Sequence, residues 1–239
     1  MKSIEISNKC NLNVWVISDT HGYHGYLNVP ENVDVLIHCG DATNYRDQYK
    51  NKVEFDNFVQ WLKDKCNHIP VKLFTPGNHD SYIYYNQKEA KKILDEVGVD
   101  LVIDNHITVY GLKIFMSPYT PAFGDWVYQV DRGKTYKRYS HAIDDDVDVV
   151  INHGMPKGIL DLTEDRYGKI EQVGDKGLLT RLKELENLKL FCGGHIHDYK
   201  NIKNSGVYVD GGVYYGNCAC VKDAEFHKGI QFNGNLFKF

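Results

Sequence analysis

The sequence lacks an excess of positive charge, since 28 Lys and Arg residues face 32 Asp and Glu residues and the formal net charge is −4. Binding of nucleic acid through bulk charge needs a basic surface, so this balance argues against a nucleic-acid partner. The sequence also contains no apolar run of about 18 to 20 residues, as a membrane-spanning helix requires, and no signal-peptide pattern at its start. These absences predict a soluble, cytoplasmic protein with no membrane partner.

Cysteine is sparse and dispersed, with six residues in 239, which excludes the dense pattern of a small disulfide scaffold and predicts reduced thiols. No low-complexity tract or linker divides the chain, and 42% of its residues are hydrophobic. We therefore expect one folded domain over residues 13–239, preceded by residues 1–12 as an N-terminal extension or edge strand.

Short apolar runs repeatedly end in polar turns, as buried strands do. These runs cover residues 14–17, 33–37, 71–74, 147–151 and 188–191. Apolar residues at helical spacing lie between them, in 55–66, 90–97 and 178–185. The alternation predicts an α/β protein with parallel strands and helical crossovers. A hairpin is expected over 107–115 and antiparallel pairing beyond residue 197, whereas the aromatic loop 118–126 has no clear assignment.

Carboxylate, amide and imidazole side chains follow each of the five apolar runs. In chain order they are Asp19 and His21, Asp41, Asn78 and His79, His153, and His195 and His197. Each motif alone is typical of an ordinary turn, but ligand sites of α/β sheets lie beyond the carboxyl ends of strands, where these residues would converge. The oxygen and imidazole ligands suit Mn, Fe or Zn, so the sequence predicts a divalent-metal site.

Two of these motifs have a ligand spacing of two residues. Side chains two residues apart lie on the same side of an extended segment. The pairs Asp19 with His21 and His195 with His197 are therefore each expected to chelate.

The ordered blocks resemble the five-block signature of the calcineurin-like metallophosphoesterases. The blocks are Asp19-Thr20-His21-Gly22, Gly40-Asp41, Gly77-Asn78-His79-Asp80, Asn152-His153-Gly154 and Gly194-His195-Ile196-His197. Further segments, among them 117–121, 153–161 and 174–177, are similar to the metallophosphoesterase-domain-containing branch of that family.

This resemblance implies a four-layered α/β/β/α sandwich and a dinuclear metal centre. Asp19, His21 and His197 would hold one ion, Asn78, His153 and His195 the other, and Asp41 would bridge both. Two divalent ions would bind the phosphate and provide a bridging hydroxide as nucleophile. Mn2+ is the expected ion, with Fe, Zn, Ni or Mg as alternatives. His79 would act beside the substrate as a proton donor.

The resemblance further implies a metal-dependent phosphodiesterase for small phosphodiesters such as cyclic nucleotides. The alternatives are a phosphomonoesterase, a nuclease, or a metal-bound protein-interaction module with little activity. Tyr119, Phe123 and Trp126 could stack a nucleobase or form a hydrophobic cap. Arg132, Lys157 and Lys176 could contact the substrate phosphate, or be ordinary surface residues.

One block departs from the protein phosphatases of the family, which carry a second Asp that pairs with the catalytic His. The corresponding residue here is Asn44. Without a carboxylate at that position, either Asn44 or Asp47 could support His79.

Overall fold

The computed structural model describes residues 3–6 and 11–239, which form sixteen β-strands and five α-helices. The strands are β1 (Ile4–Glu5), β2 (Asn13–Ile17), β3 (Val35–His38), β4 (Val71–Phe74), β5 (Asp100–Leu101), β6 (Asn105–Val109), β7 (Leu112–Ser117), β8 (Thr120–Pro121), β9 (Gln129–Val130), β10 (Val149–Asn152), β11 (Leu162–Glu164), β12 (Ile170–Gln172), β13 (Leu190–Gly193), β14 (Gly206–Asp210), β15 (Val213–Asn217) and β16 (Asn235–Lys238). The helices are α1 (Gln48–Lys65), α2 (Ser81–Tyr85), α3 (Gln87–Asp95), α4 (Thr135–Ala142) and α5 (Lys176–Glu184).

Two six-stranded sheets form the centre of the molecule. Their strand orders are β1-β16-β2-β3-β4-β5 and β14-β15-β13-β10-β7-β6. The neighbours β2, β3 and β4 are parallel in the first sheet, as are β7, β10, β13 and β15 in the second. A parallel pair cannot be joined by a tight turn, and helix α1 provides the connection from β3 to β4 as α5 does from β10 to β13.

Side chains that alternate along the strands contribute to three separate apolar cores. In β2, Trp15 and Ile17 pack with helix α1, whereas Val14 and Val16 lie between the two sheets. A third core joins the outer face of the second sheet to α4 and α5. Helices on the outer face of each of two stacked sheets confirm the four-layered α/β/β/α sandwich.

The strands that precede the candidate ligands end together at one rim of this sandwich. In the first sheet Ile17 is in register with His38, and His38 with Phe74; in the second, Ile151 is in register with Cys192. The turns after β2, β3, β4, β10 and β13 therefore meet where the two sheets face each other.

Several elements differ from the expectations from sequence. Beyond residue 197, β14 and β15 are antiparallel as expected, but β15 also pairs in parallel with β13. The hairpin of β11 and β12, and helix α4, were not expected. Residues 1, 2 and 7–10 of the expected extension lie outside the described residues, and β1 lies at the edge of the first sheet beside β16. Among the described helices, none has the length and apolar character needed to cross a membrane.

Candidate metal centre

Four of the candidate ligand residues have a left-handed backbone. The φ angles are 52° at Asp19, 43° at His21, 56° at Asp41 and 66° at His195. Positive φ is uncommon for residues with a side chain, is tolerated best by Asp, Asn and His, and is concentrated at functional sites. The sharp reversals that it allows turn each side chain back toward the rim directly after its strand has ended.

These reversals correct the expectation that each two-residue spacing chelates through an extended segment. Asp19 and His21 do meet, but through left-handed turns beyond β2. His195 and His197 separate: His197 joins Asp19 and His21, whereas His195 joins Asp41 and His153. Side-chain alternation in a strand does not apply here because the strands have already ended.

The first ligand cluster consists of Asp19, His21 and His197. Nε2 of His197 lies 2.9 Å from Oδ1 of Asp19 and 3.4 Å from Nε2 of His21. Nε2 of His21 lies 3.9 Å from the same Asp19 oxygen. Three ligand atoms within this range can contact one cation with small adjustments.

The second ligand cluster consists of Asp41, Asn78, His153 and His195. Nε2 of His153 is 3.2 Å from Oδ2 of Asp41 and 3.0 Å from Oδ1 of Asn78, and His195 belongs to the same group. Oδ2 of Asp41 also lies 3.9 Å from Nε2 of His21 in the first cluster. Asp41 therefore stands between the two clusters.

The hydrogen bonds of the imidazoles fit metal ligands. Nδ1 of His21 contacts the Thr43 carbonyl at 3.1 Å, and Nδ1 of His153 contacts the Cys39 carbonyl at 2.9 Å. A carbonyl only accepts, so each Nδ1 carries the proton and each Nε2 can direct its lone pair inward. Nδ2 of buried Asn78 has no partner within the described part of the chain, while its Oδ1 points into the cluster.

The buried carboxylates are paired with two of the imidazoles, Asp41 with His153 and Asp19 with His197, and these pairs shift the pKa of each member. Burial opposes the charge of Asp41, but the surrounding imidazoles, His153 foremost, together outweigh it and hold the pKa of Asp41 well below its usual range. Burial likewise opposes protonation of His153, yet Asp41 raises the pKa of His153 to about 9. Burial lowers the pKa of His21 and of His195 to about 3, which keeps both neutral. A divalent cation would replace the proton that His153 otherwise holds.

His79 lies beside the clusters and is supported by a main-chain group. Its Nδ1 contacts the Asn44 carbonyl oxygen at 2.8 Å, and its backbone N–H donates to Oδ1 of Asp41 at 2.7 Å. Asp47 does not reach His79, since its side chain accepts from the N–H of Lys50 and caps α1. The question left open by the sequence is thus answered by the backbone of Asn44.

Two carboxylates that organise the centre were missed. Buried Asp80 accepts from the N–H groups of Asp41, Thr43 and Gly77 at 2.7–3.0 Å, and so joins the turns after β3 and β4. Asp223 contacts Nδ1 of His197. Asp80 could have been noticed because it belongs to the Asn78 block, whereas no local pattern marks Asp223, which lies far along the chain.

The glycines of two blocks permit close approach of the turns. Gly40 has a φ of +108°, and a Cβ added there would lie 2.6 Å from Nδ1 of His153. A Cβ at Gly77 would collide with Asp41 and lie 2.6 Å from Cε1 of His153. Only glycine leaves the space that brings ligands from both sheets together.

A cavity of about 350 Å³ opens onto both clusters. Besides ligands and His79, its wall includes Phe123, Arg132 and Tyr199. Arg132 is anchored by a hydrogen bond of 3.1 Å from Nη1 to the Val173 carbonyl. This volume lies in the range of small-molecule sites.

A carboxylate and histidine centre at the rim of an α/β/β/α sandwich is the arrangement that the resemblance to the calcineurin-like metallophosphoesterases implies. The family model described as calcineurin-like phosphoesterase matches residues 12–199, and the chain belongs to that family. The resemblance drawn from the sequence blocks is thereby confirmed at the level of the family.

Similarity to individual proteins points to one branch of the family. The chain is 28% identical over 226 residues to metallophosphoesterase domain-containing protein 1 of Homo sapiens and, equally, of Mus musculus. Each match covers 85% of this chain, which spans 64% of the length of these relatives. They support the metallophosphoesterase-domain-containing branch.

A solved structure supports the fold. The protein TT1561 of Thermus thermophilus superposes with a TM-score of 0.57 at 12% sequence identity, covering 87% of this chain and 91% of that one.

Proposed function

We propose that the chain is a metal-dependent phosphodiesterase that hydrolyses small phosphodiesters such as cyclic nucleotides. The main support is that two ligand clusters are linked by Asp41 and open onto one cavity that also contains His79. We assign Asp19, His21 and His197 to one ion, Asn78, His153 and His195 to the other, and Asp41 to both. Mn2+ is the proposed ion, with Fe, Zn, Ni or Mg as alternatives, because the donors are oxygen and imidazole nitrogen.

The size and charge of the cavity favour a small diester. At about 350 Å³ it suits a small molecule rather than a folded partner. Arg132 is the one Lys or Arg among the described residues that line it, and Asp223 lines it as well. A diester carries one negative charge where a monoester carries up to two, so it needs less positive charge from the protein.

The chain's own residues would position the substrate and move a proton. Bound ions would supply the positive charge that polarises the phosphate and acidifies water at neutral pH. His79 reaches the cavity while its Nδ1–H is held by the Asn44 carbonyl, so the proton that it would donate to the leaving oxygen is the second proton of the imidazolium, on Nε2. Arg132, fixed by the main chain at residue 173, would contact a phosphate or ribose oxygen.

The proposal can be tested with metal-stripped protein to which Mn, Ni, Mg or Zn is added back in turn. Hydrolysis of bis(4-nitrophenyl) phosphate is compared with that of 4-nitrophenyl phosphate, followed by cyclic nucleotides. We expect cleavage only with metal and preferentially of the diester. Preference for the monoester would identify a phosphomonoesterase, and cleavage of neither ester by metal-loaded protein would favour an interaction module.

A further inference from the structure

The imidazole of His79 contacts an aromatic side chain from a distant part of the chain. Its ring centroid lies 3.9 Å from that of Trp126, and the two planes differ by 33°. The edge of His21 contacts the same imidazole at 4.8 Å and 86°. Because a single hydrogen bond to the Asn44 carbonyl leaves the ring free to turn about the bond, these ring contacts determine its plane.

Trp126 is itself held by the loop that supports His79. The guanidinium carbon of Arg46 lies 3.8 Å from the centre of the indole ring, a cation–π contact. Arg46 lies two residues beyond Asn44, whose N–H donates to Oε2 of Glu54 at 2.6 Å. One anchored loop therefore fixes both His79, through a carbonyl, and Trp126, through a guanidinium.

The indole ring of Trp126 does not line the cavity. His79 and Phe123 line the cavity wall, whereas Trp126 does not, although it belongs to the same loop as Phe123. With an imidazole and a guanidinium both within 4 Å of its ring, the indole has little surface left for a nucleobase. This geometry disfavours the stacking role considered for Trp126 from the sequence.

We propose that Trp126, clamped by Arg46, is a positioning residue for His79. It holds the imidazole plane so that Nε2 points to the leaving oxygen. In the step that it supports, hydroxide forms a new P–O bond and the P–O bond to the leaving group breaks. The electron pair of the broken bond stays on the leaving oxygen, which takes the Nε2 proton of the His79 imidazolium and leaves a neutral imidazole with its proton on Nδ1. The inference rests on the proposed hydrolase function and adds a residue that does not touch substrate.

Leaving-group dependence separates this role from a general structural one. Two esters that differ by one nitro group, methyl phenyl phosphate and methyl 4-nitrophenyl phosphate, are hydrolysed by wild type, Trp126→Ala and Trp126→Phe. Phenolate needs the proton more than 4-nitrophenolate does. Trp126→Ala should lower kcat about 10- to 100-fold for the phenyl ester and less than about threefold for the nitrophenyl ester, with KM within about threefold.

Further variants distinguish the positioning role of Trp126 from a folding defect. Trp126→Phe retains a flat ring and should recover most of the loss, and Arg46→Ala, which releases the clamp, should shift kcat in the same direction as Trp126→Ala. Tyr49→Ala, at a side chain that is 87% exposed, is the matched control and should leave both esters unaffected. Equal losses on the two esters, or a loss confined to KM, would overturn the proposal.

A spectroscopic measurement tests the contact independently of turnover. In zinc-loaded protein with labelled histidine, the ring protons of His79, assigned with His79→Ala, should show a ring-current shift. The shift should be lost in Trp126→Ala and kept in Tyr49→Ala; unshifted wild-type signals would refute the positioning role. A wild type that hydrolyses neither ester with any metal would instead overturn the proposed function, while the shift still decides whether Trp126 holds His79.

Discussion

At the scale of single residues, the group that accepts the Nδ1 proton of a ligand histidine fixes the direction in which its Nε2 points. Backbone carbonyls serve His21 and His153, but His197 contacts the carboxylate of Asp223. Partial burial opposes the charge of Asp223, yet His197 outweighs it and lowers the pKa of that carboxyl. A carboxylate behind a ligand histidine fixes the ring and makes it a stronger donor. Asp223 belongs to neither ligand cluster but would support the first one through His197.

Asp223→Ala should weaken the affinity for one of the two ions by about 10- to 100-fold and leave the affinity for the other nearly unchanged. The reason is that, among the described residues, the side chain of Asp223 hydrogen-bonds to His197, which belongs to the first ligand cluster. Titration of metal-free protein against a competing chelator measures both affinities. Asp210→Ala, at an exposed position of β14, is the control. Unchanged affinity for both ions would contradict the orienting role.

A histidine outside the centre should contribute to acid sensitivity. His24 is buried against Phe58 and Trp61, with ring centroids 5.5 Å apart in both cases, and burial lowers its pKa from 6.5 to about 4. Between these values the unfolded chain binds more protons than the folded one, so stability present above pH 6.5 is lost as pH falls toward 4. Unfolding by urea at several pH values should show a shallower loss for His24→Phe; identical slopes would contradict this.

At the scale of elements, two residues near the start of helix α1 have different roles: Asp47 caps the helix and Asn44 supports His79. Asp47 accepts from the N–H of Lys50 at 3.0 Å and caps the helix start, while Asn44, three residues earlier, holds His79. Asp47→Ala should lower the free energy of unfolding by about 1 kcal/mol, within the range for lost caps, and leave kcat unchanged. Asp56→Ala, whose exposed ion pair with Lys52 is on the same helix, should change stability less. A large fall in kcat for Asp47→Ala would contradict the capping role.

The elements also show where sequence reasoning succeeds and fails. The runs at 14–17 and 71–74 lie in strands β2 and β4 because short, mainly apolar segments suit strands covered on both faces, although Lys72 interrupts the second run. The pairing of β15 with β13 depends on contacts that no local pattern contains. The same holds in the centre: strand ends predicted which ligands would meet, but the left-handed turns that separate His195 from His197 have no signal in spacing. Trp126 reaches His79 from a loop that local periodicity left unassigned.

At the scale of the whole molecule, the centre joins two sheets that otherwise contact each other through an apolar core. Asp19 and Asp41 come from the first sheet and His153, His195 and His197 from the second, so bound ions would cross-link both halves. Any ligand that binds only the folded state stabilises it, by about 2.7 kcal/mol when its concentration is about 100 times its Kd. The thermal stability of the protein should therefore rise with metal and fall when metal is chelated.

The variants Asp41→Asn and His79→Ala should distinguish stabilisation by metal from hydrolysis. Asp41 lies between the two clusters, so Asp41→Asn should abolish hydrolysis and most of the metal-dependent rise in Tm together. The hydrogen bond from His79 to a ligand of the centre comes from its backbone N–H, which alanine retains, and only the ring contact with His21 is lost. His79→Ala should therefore keep the rise in Tm while kcat falls by about 100-fold or more. Calorimetry with and without Mn2+, beside hydrolysis assays, measures both quantities. If His79→Ala lost the rise in Tm, His79 would have to be reassigned to metal binding, either as a ligand beside His21 and Asp41 or as a support for those ligands.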